Sequence, residues 1–265
     1  MKKSIMCMMF VVFLFSAALC QSQEIREYTV KRTAGKMVID GKLDEPEWKH
    51  AAFTEEFVVY TDGTAPRFPA QGQMLWDDTY LYIAFTMTDE DVWGEMTFWT
   101  PKDPCLCLEE VAEIFIDPDD DRQNYIEVEI NPLGTVMDLI VAKAFKDGGS
   151  ANLEWKFEGI KVGIGVDGTL NDKSDKDTKW ICEVGLPFTT MAPSATSRAF
   201  PPENGDSWRI NLYRYDYDRT EKWHNELTGW NQTGTTGGFH VPERFGRIFF
   251  STDTVIKSPV KKPQG

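Results

Sequence analysis

Between Tyr80 and Met87 apolar side chains fall at every second position, at Leu81, Ile83, Phe85 and Met87, and the same period returns at Ile126, Val128 and Ile130. A strand turns successive side chains to opposite faces, so a period of two builds a sheet with one buried face, where a helix needs a period near 3.6. Further β-rich segments run from Val111 to Asp117, Val136 to Val141, Ile160 to Val166, Trp180 to Leu186, Trp208 to Tyr215 and Gly246 to Phe250. Together they imply on the order of ten strands. Turn-forming groups punctuate them: Asp40-Gly41, Trp76-Asp77-Asp78, Asp117-Pro118-Asp119, Asn131-Pro132-Leu133-Gly134 and Asp167-Gly168. Links this short join antiparallel neighbours. No long, well-capped amphipathic helix is present, and Glu45-Pro46-Glu47-Trp48 opens a single turn. The expected fold is all-β, a two-sheet antiparallel β-sandwich of the immunoglobulin or jelly-roll kind.

The ends of the chain read differently. Basic Met1-Lys2-Lys3 precedes an apolar run from Ile5 to Leu19 that is too short to span a bilayer, the pattern of a signal peptide over residues 1–22. A lipoprotein with an acylated Cys20 is less favoured, because Leu19 stands where the bacterial lipobox has Gly, Ala or Ser. Export to the periplasm or the cell exterior is therefore expected. Residues 23–251 suit one large β domain, and 252–265, rich in Lys and Pro, read as a flexible tail. No second long apolar segment follows, so no transmembrane segment is expected, and the domain is expected to be a monomer. A formal charge of −14 without any Lys/Arg stripe disfavours nucleic acid or an anionic membrane as partner. Of five cysteines, Cys7 and Cys20 fall in or beside the signal segment; Cys105, Cys107 and Cys182 make no disulfide framework. Cys182 shares the parity of Trp180 and Val184, as a core residue does, and Cys105 and Cys107 lack nearby histidines for a metal site.

Several polar residues sit where the pattern makes them informative. Glu127, Glu129 and Asn131 alternate against Ile126, Val128 and Ile130, so they share the face opposite the core, either as a solvated surface with cross-strand pairs or as the lining of a groove. Arg214 has the parity of inward Ile210 and Leu212 and needs a partner or an opening to solvent. Asp117, Asp119 and Asp121 form an acidic loop whose hard oxygens suit calcium, although the glycine and distal glutamate of an EF-hand are absent; the alternative is an acidic turn that solvates itself. His50, His224 and His240 are scattered, and no nucleophile elbow, phosphate loop or zinc-protease helix occurs. Glycoside hydrolysis needs two carboxylates at a defined separation, and no pair stands out among so many acids. A non-enzyme is expected.

Four motifs taken in order resemble one family. They are Ile39-Asp40-Gly41-Lys42-Leu43-Asp44-Glu45-Pro46-Glu47-Trp48, then Leu75-Trp76-Asp77-Asp78-Thr79-Tyr80-Leu81-Tyr82, then Val111-Ala112-Glu113-Ile114-Phe115-Ile116-Asp117-Pro118-Asp119, and last Arg244-Phe245-Gly246-Arg247-Ile248. This order resembles carbohydrate-binding module family 9 from about Met37 to Phe250, which implies a β-sandwich that binds sugars, often at chain ends, and often carries structural calcium. The family clamps a sugar ring between two aromatic side chains over a polar floor, because a pyranose offers axial C–H groups to a ring face and equatorial hydroxyls to planar acceptors. Carried over by position, the floor is Glu113, Glu129 and Asn131, with Asn211 or Tyr213 added from a later strand. One wall falls near Phe239, in Gly237-Gly238-Phe239-His240, with Trp230 as a nearby candidate. The other falls at Cys107, where relatives usually have Trp, leaving Trp93 and Trp99 as substitutes, and Glu129 stands where the family often has Arg. The resemblance implies an exported protein that binds an oligosaccharide or polysaccharide, a plant-type glycan or its ends, in carbohydrate catabolism. The alternatives are a glycoside hydrolase-associated module, an envelope interaction protein, or a haem-binding sandwich with Met96 or His240 as axial ligand.

Overall fold

The computed structural model describes residues 24–191, 200–219 and 225–256, so the expected signal segment lies outside them. Thirteen strands follow one another as β1 (Glu27–Arg32), β2 (Val58–Val59), β3 (Ala70–Trp76), β4 (Tyr80–Thr88), β5 (Val111–Asp117), β6 (Gln123–Ile130), β7 (Val136–Lys143), β8 (Ala151–Asn152), β9 (Lys161–Asp167), β10 (Lys179–Pro187), β11 (Ser207–Tyr217), β12 (Asn225–Gly229) and β13 (Gly246–Thr254). Among the described residues two short α-helices, α1 (Pro46–His50) and α2 (Phe188–Met191), interrupt them. Pro46 opens α1 at the position where its missing N–H costs nothing, and Trp48 anchors the turn in a buried cluster with Met37, Leu75 and Tyr82. The last strand continues to Thr254, past the expected domain boundary at residue 251.

The sandwich departs from two separate antiparallel sheets. One hydrogen-bonded path runs β8-β7-β6-β5-β11-β13-β1-β3-β4-β10-β9, with β12 beside β11 and β2 beside β12. The cause is β1, which pairs in parallel with both β13 and β3 and so stitches the halves into one mixed sheet. The sheet folds over on itself. Gly72 of β3 faces Leu212 of β11 so closely that a Cβ there would stand 2.5 Å from Leu212 Cδ1, although the two strands are not neighbours along the path. Between the halves lies one core: Ile114, Ile126, Val128 and Ile210 from one side, Ile83, Phe85, Trp180 and Val184 from the other, with Tyr28 and Val30 of β1 at the fold line. Each large side chain taken out of water here contributes about 1.5–3 kcal/mol. Cys182 is buried in this core as a free thiol, as its parity implies.

The outer face of β5, β6 and β11 is buried as well. Phe115, Tyr125, Tyr213, Phe239, Phe245 and Leu106 pack there as a second cluster, beneath the segments that precede β5 and follow β12. The acids on this face are therefore not solvated. This double burial explains why β5 carries almost no polar alternation except Glu113 and Asp117.

Candidate functional site

Strand register fixes a grid on that outer face. Tyr213 of β11 lies opposite Glu113 of β5, Glu113 opposite Glu129 of β6, and Glu129 opposite Met137 of β7. The next row is Asn211, Phe115, Glu127 and Leu139. Three carboxyls thus meet on one patch, with Glu113 and Glu129 each 2% exposed and Glu127 5% exposed. Burial pushes Glu113 well above the usual carboxylate range, and the charges of Glu129 and Glu127 push it further. Glu127 is raised in the same way by burial and by Glu129, and burial lifts Glu129 to about 7 against hydrogen bonds from Glu127 and the Cys107 backbone. His240 Nε2 lies 3.8 Å from Glu127 Oε2, and burial lowers that imidazole to about 4, so it brings no charge to the patch at neutral pH. Its Nδ1 is 2.9 Å from Tyr125 Oη.

Phe239 is laid against this patch. Its ring stacks on Tyr213 with centroids 3.9 Å apart and planes 5° from parallel, and Tyr213 Oη donates to the Phe239 carbonyl at 3.1 Å. Tyr60 and Tyr215 meet Phe239 edge-on. The approach needs Gly238, whose φ of 92° lies in the left-handed region that a side chain disfavours.

The segment before β5 covers the other side. A short 3-10 turn, Leu106–Leu108, is tied by a disulfide between Cys105 and Cys107, two cysteines that sequence alone left unpaired. Cys105 Sγ lies 3.5 and 3.7 Å from the two oxygens of Glu129. Asn131 holds this segment in place: Nδ2 donates to Met96 O and Glu109 Oε2, while Oδ1 accepts from Leu133 and Thr135 N–H. Those four bonds are the full capacity of an amide. Asn211 exchanges two bonds with the Asn231 backbone and fixes the start of the segment that carries Phe239. Of the residues named from sequence, the structure brings together Glu113, Glu129, Tyr213 and Phe239, and sets Asn131 and Asn211 around them as brackets. Trp230 faces the main core and donates its Nε1 to Glu55 Oε2, away from the patch. Trp93 is buried with its Nε1 on Tyr217 O, and half-buried Trp99 donates to Pro104 O beneath the Lys156 ammonium. Glu127, Tyr60, Tyr215 and the disulfide complete the site. Parity already set Glu127 on this face; nothing local in the sequence flags the others.

Two further acid clusters stand apart. Asp117, Asp119 and Asp121 each bring a carboxylate oxygen within 4.8 Å of the others. Asp117 is fully buried, its Oδ2 accepts from Arg122 N–H at 2.9 Å, and its Oδ1 has no hydrogen-bond partner among the described residues. Burial raises Asp117 to about 7. Convergent hard oxygens with one orphaned inside are a donor set that fits calcium. Asp89, Glu110 and Asp216 line a cavity of about 350 Å³, and Arg214 reaches into that cluster, pairing with Asp89 and donating to Thr88 O. The inward arginine's two terminal nitrogens are thus met by a carbonyl and a buried carboxylate, while its Nε has no partner among the described residues.

A folded all-β sheet whose outer face carries carboxyls and stacked aromatics under two loops defines a ligand-binding module of the β-sandwich class. The chain matches the profile of the carbohydrate family 9 binding domain-like family over residues 39–252, and it belongs to that family. Solved structures agree in fold. A family 9 module from Caldicellulosiruptor kristjanssonii in complex with cellotriose superposes with a TM-score of 0.59 at 15% identity, covering 89% of this chain and all of that one. A putative carbohydrate-binding protein from Bacteroides uniformis gives 0.62 at 14% identity over 86% of this chain and all of its own, and a second C. kristjanssonii structure, in complex with glucose, gives 0.55 at 14% over 87% and all of its own. A 95-residue stretch is 32% identical to part of exoglucanase XynX of Acetivibrio thermocellus, which covers 35% of this chain and 8% of that enzyme.

Proposed function

We propose that this chain is a non-catalytic carbohydrate-binding protein whose glycan site is the patch of Glu113, Glu129 and Phe239. The observation that carries the reading is the cross-strand Glu113–Glu129 pair set beside the Tyr213–Phe239 stack, at the positions that the family resemblance implies. Sugar hydroxyls donate hydrogen bonds, and two poorly solvated carboxyls gain more from such donors than solvated ones do. An aromatic face supplies the stacking surface for the ring. The cellotriose and glucose held by the structural relatives favour a gluco-configured ligand, such as a plant β-glucan or its ends. Because the carboxyls are nearly inaccessible, we read the described conformation as closed, with sugar entry coupled to displacement of a covering segment. The Cys105–Cys107 disulfide stands at the second wall in place of an aromatic, which predicts weaker stacking on that side.

The basic and apolar leader supports export to the periplasm or cell exterior, and the partial likeness to an exoglucanase supports a role in carbohydrate catabolism. Asp117, Asp119 and Asp121 are the residues that would hold a structural calcium. Isothermal titration of the purified protein with glucose, cellobiose, xylose, xylobiose and their alditols tests the reading. Saturable heat with the gluco series is expected, and its loss with the alditols would assign recognition to a reducing end. Absence of heat with every sugar, in a protein shown to be folded, contradicts the proposal.

A further inference from the structure

We infer that Cys105, Cys107 and Glu129 form a thiol-dependent site for a borderline-soft divalent cation, with zinc as the type ion, closed while the cysteines are joined and open once they are reduced. The three side chains each place one ligand atom within 4.8 Å of the others, and Cys105 Sγ already lies against both Glu129 oxygens. Both cysteines are half-buried rather than enclosed in the core. Two thiolates and one carboxylate suit zinc or cobalt in tetrahedral geometry and leave the fourth position for water or a ligand; calcium and magnesium, which take oxygen donors, are disfavoured. The surroundings add a reason for a cation. Glu113 faces Glu129 across the strands, and Glu127 Oε2 is buried without a hydrogen-bond partner among the described residues. A divalent ion between them offsets the repulsion among three buried carboxyls.

The chemistry balances with an added dithiol as reductant. The disulfide takes two electrons and two protons and becomes two thiols, while the dithiol closes to its own disulfide. The metal then displaces one proton from each thiol. The site shares its face with the proposed glycan floor but needs no sugar.

Cobalt(II) serves as the probe, added to protein reduced by a dithiol that is then removed without air. One equivalent is expected to produce a thiolate-to-cobalt charge-transfer band that zinc bleaches. The oxidised protein and the C105S/C107S double variant, which keeps Cys182, are expected to give none, and E129Q is expected to bind cobalt about tenfold more weakly or worse. Circular dichroism establishes that each variant is folded. A folded, reduced protein without the band overturns the inference, as does a band that survives in the double variant or is unchanged in E129Q. The sugar titration uses the oxidised protein, so heat with a sugar but no cobalt band sinks this site and leaves the glycan reading standing, and the converse result does the opposite.

Discussion

At the scale of single residues, the molecule is marked by carboxyls buried without enough donors. Glu129 moves from 4.5 to about 7 and Asp117 from 3.8 to about 7, so the folded chain keeps protons that the unfolded chain has lost. For groups raised in this way, stability is full below about pH 4 and is lost as the pH climbs through about 7, at a cost of at most about 3 kcal/mol for Glu129 and about 4 kcal/mol for Asp117. The metal-free protein is therefore expected to melt at a higher temperature at pH 5 than at pH 8, measured by calorimetry in a chelator. Calcium is expected to recover part of the difference at pH 8 through Asp117, and no recovery would argue against a cation at the acidic loop. Glu113→Gln removes one of three repelling groups while keeping its shape. It is expected to raise the melting temperature of the free protein at pH 8, by the equivalent of about 1–2 kcal/mol, and to weaken sugar binding at least tenfold. A variant that gains no stability at pH 8 would contradict a carboxyl raised by burial at Glu113.

At the scale of elements, the sheet builds the site and two amides hold its cover. Asn131→Ala would strip partners from Glu109, the Met96 carbonyl and the Leu133 and Thr135 amides at once. A loss of about 2–4 kcal/mol is expected in denaturant melts, with faster hydrogen exchange across residues 94–110 than elsewhere. Uniform exchange across the chain would show that Asn131 does not clamp that segment. Alternation made Tyr80–Met87 legible, and it extends by one residue into β4, while Val111–Asp117, which is β5 itself, was legible as a continuous β-rich run because both of its faces are buried. β1 was not, since Glu27–Arg32 shows only Tyr28 and Val30 as buried apolar positions and its parallel pairing leaves no turn to read. The site divides along the same line. The resemblance named Glu113, Glu129, Tyr213 and Phe239; strand register sets the first three side by side, and Phe239 reaches them from the loop between β12 and β13. The same resemblance misjudged Trp230, because a tryptophan next to a glycine-rich loop looks the same whether it points to the core or away from it.

At the scale of the whole molecule, one strand decides the architecture. β1 joins the two halves in parallel, so a chain rich in antiparallel hairpins becomes a single folded sheet rather than two independent ones. The fold line brings β3 against β11 with no room at Gly72. Gly72→Val would overpack that contact and is expected to cost about 1–3 kcal/mol in a denaturant melt while leaving the carboxyl patch, on the opposite face of β11, intact. A neutral result would mean that the halves can part there. The folded sheet also leaves one half buried on both faces, which is why its acids are desolvated. The most direct test of the account is a crystal structure of the protein soaked or grown with cellobiose. A sugar ring is expected against Phe239 with its hydroxyls on Glu113 and Glu129, and the covering segments moved to admit it. A ring seated elsewhere, for example in the cavity lined by Asp89, Glu110 and Asp216, would contradict it.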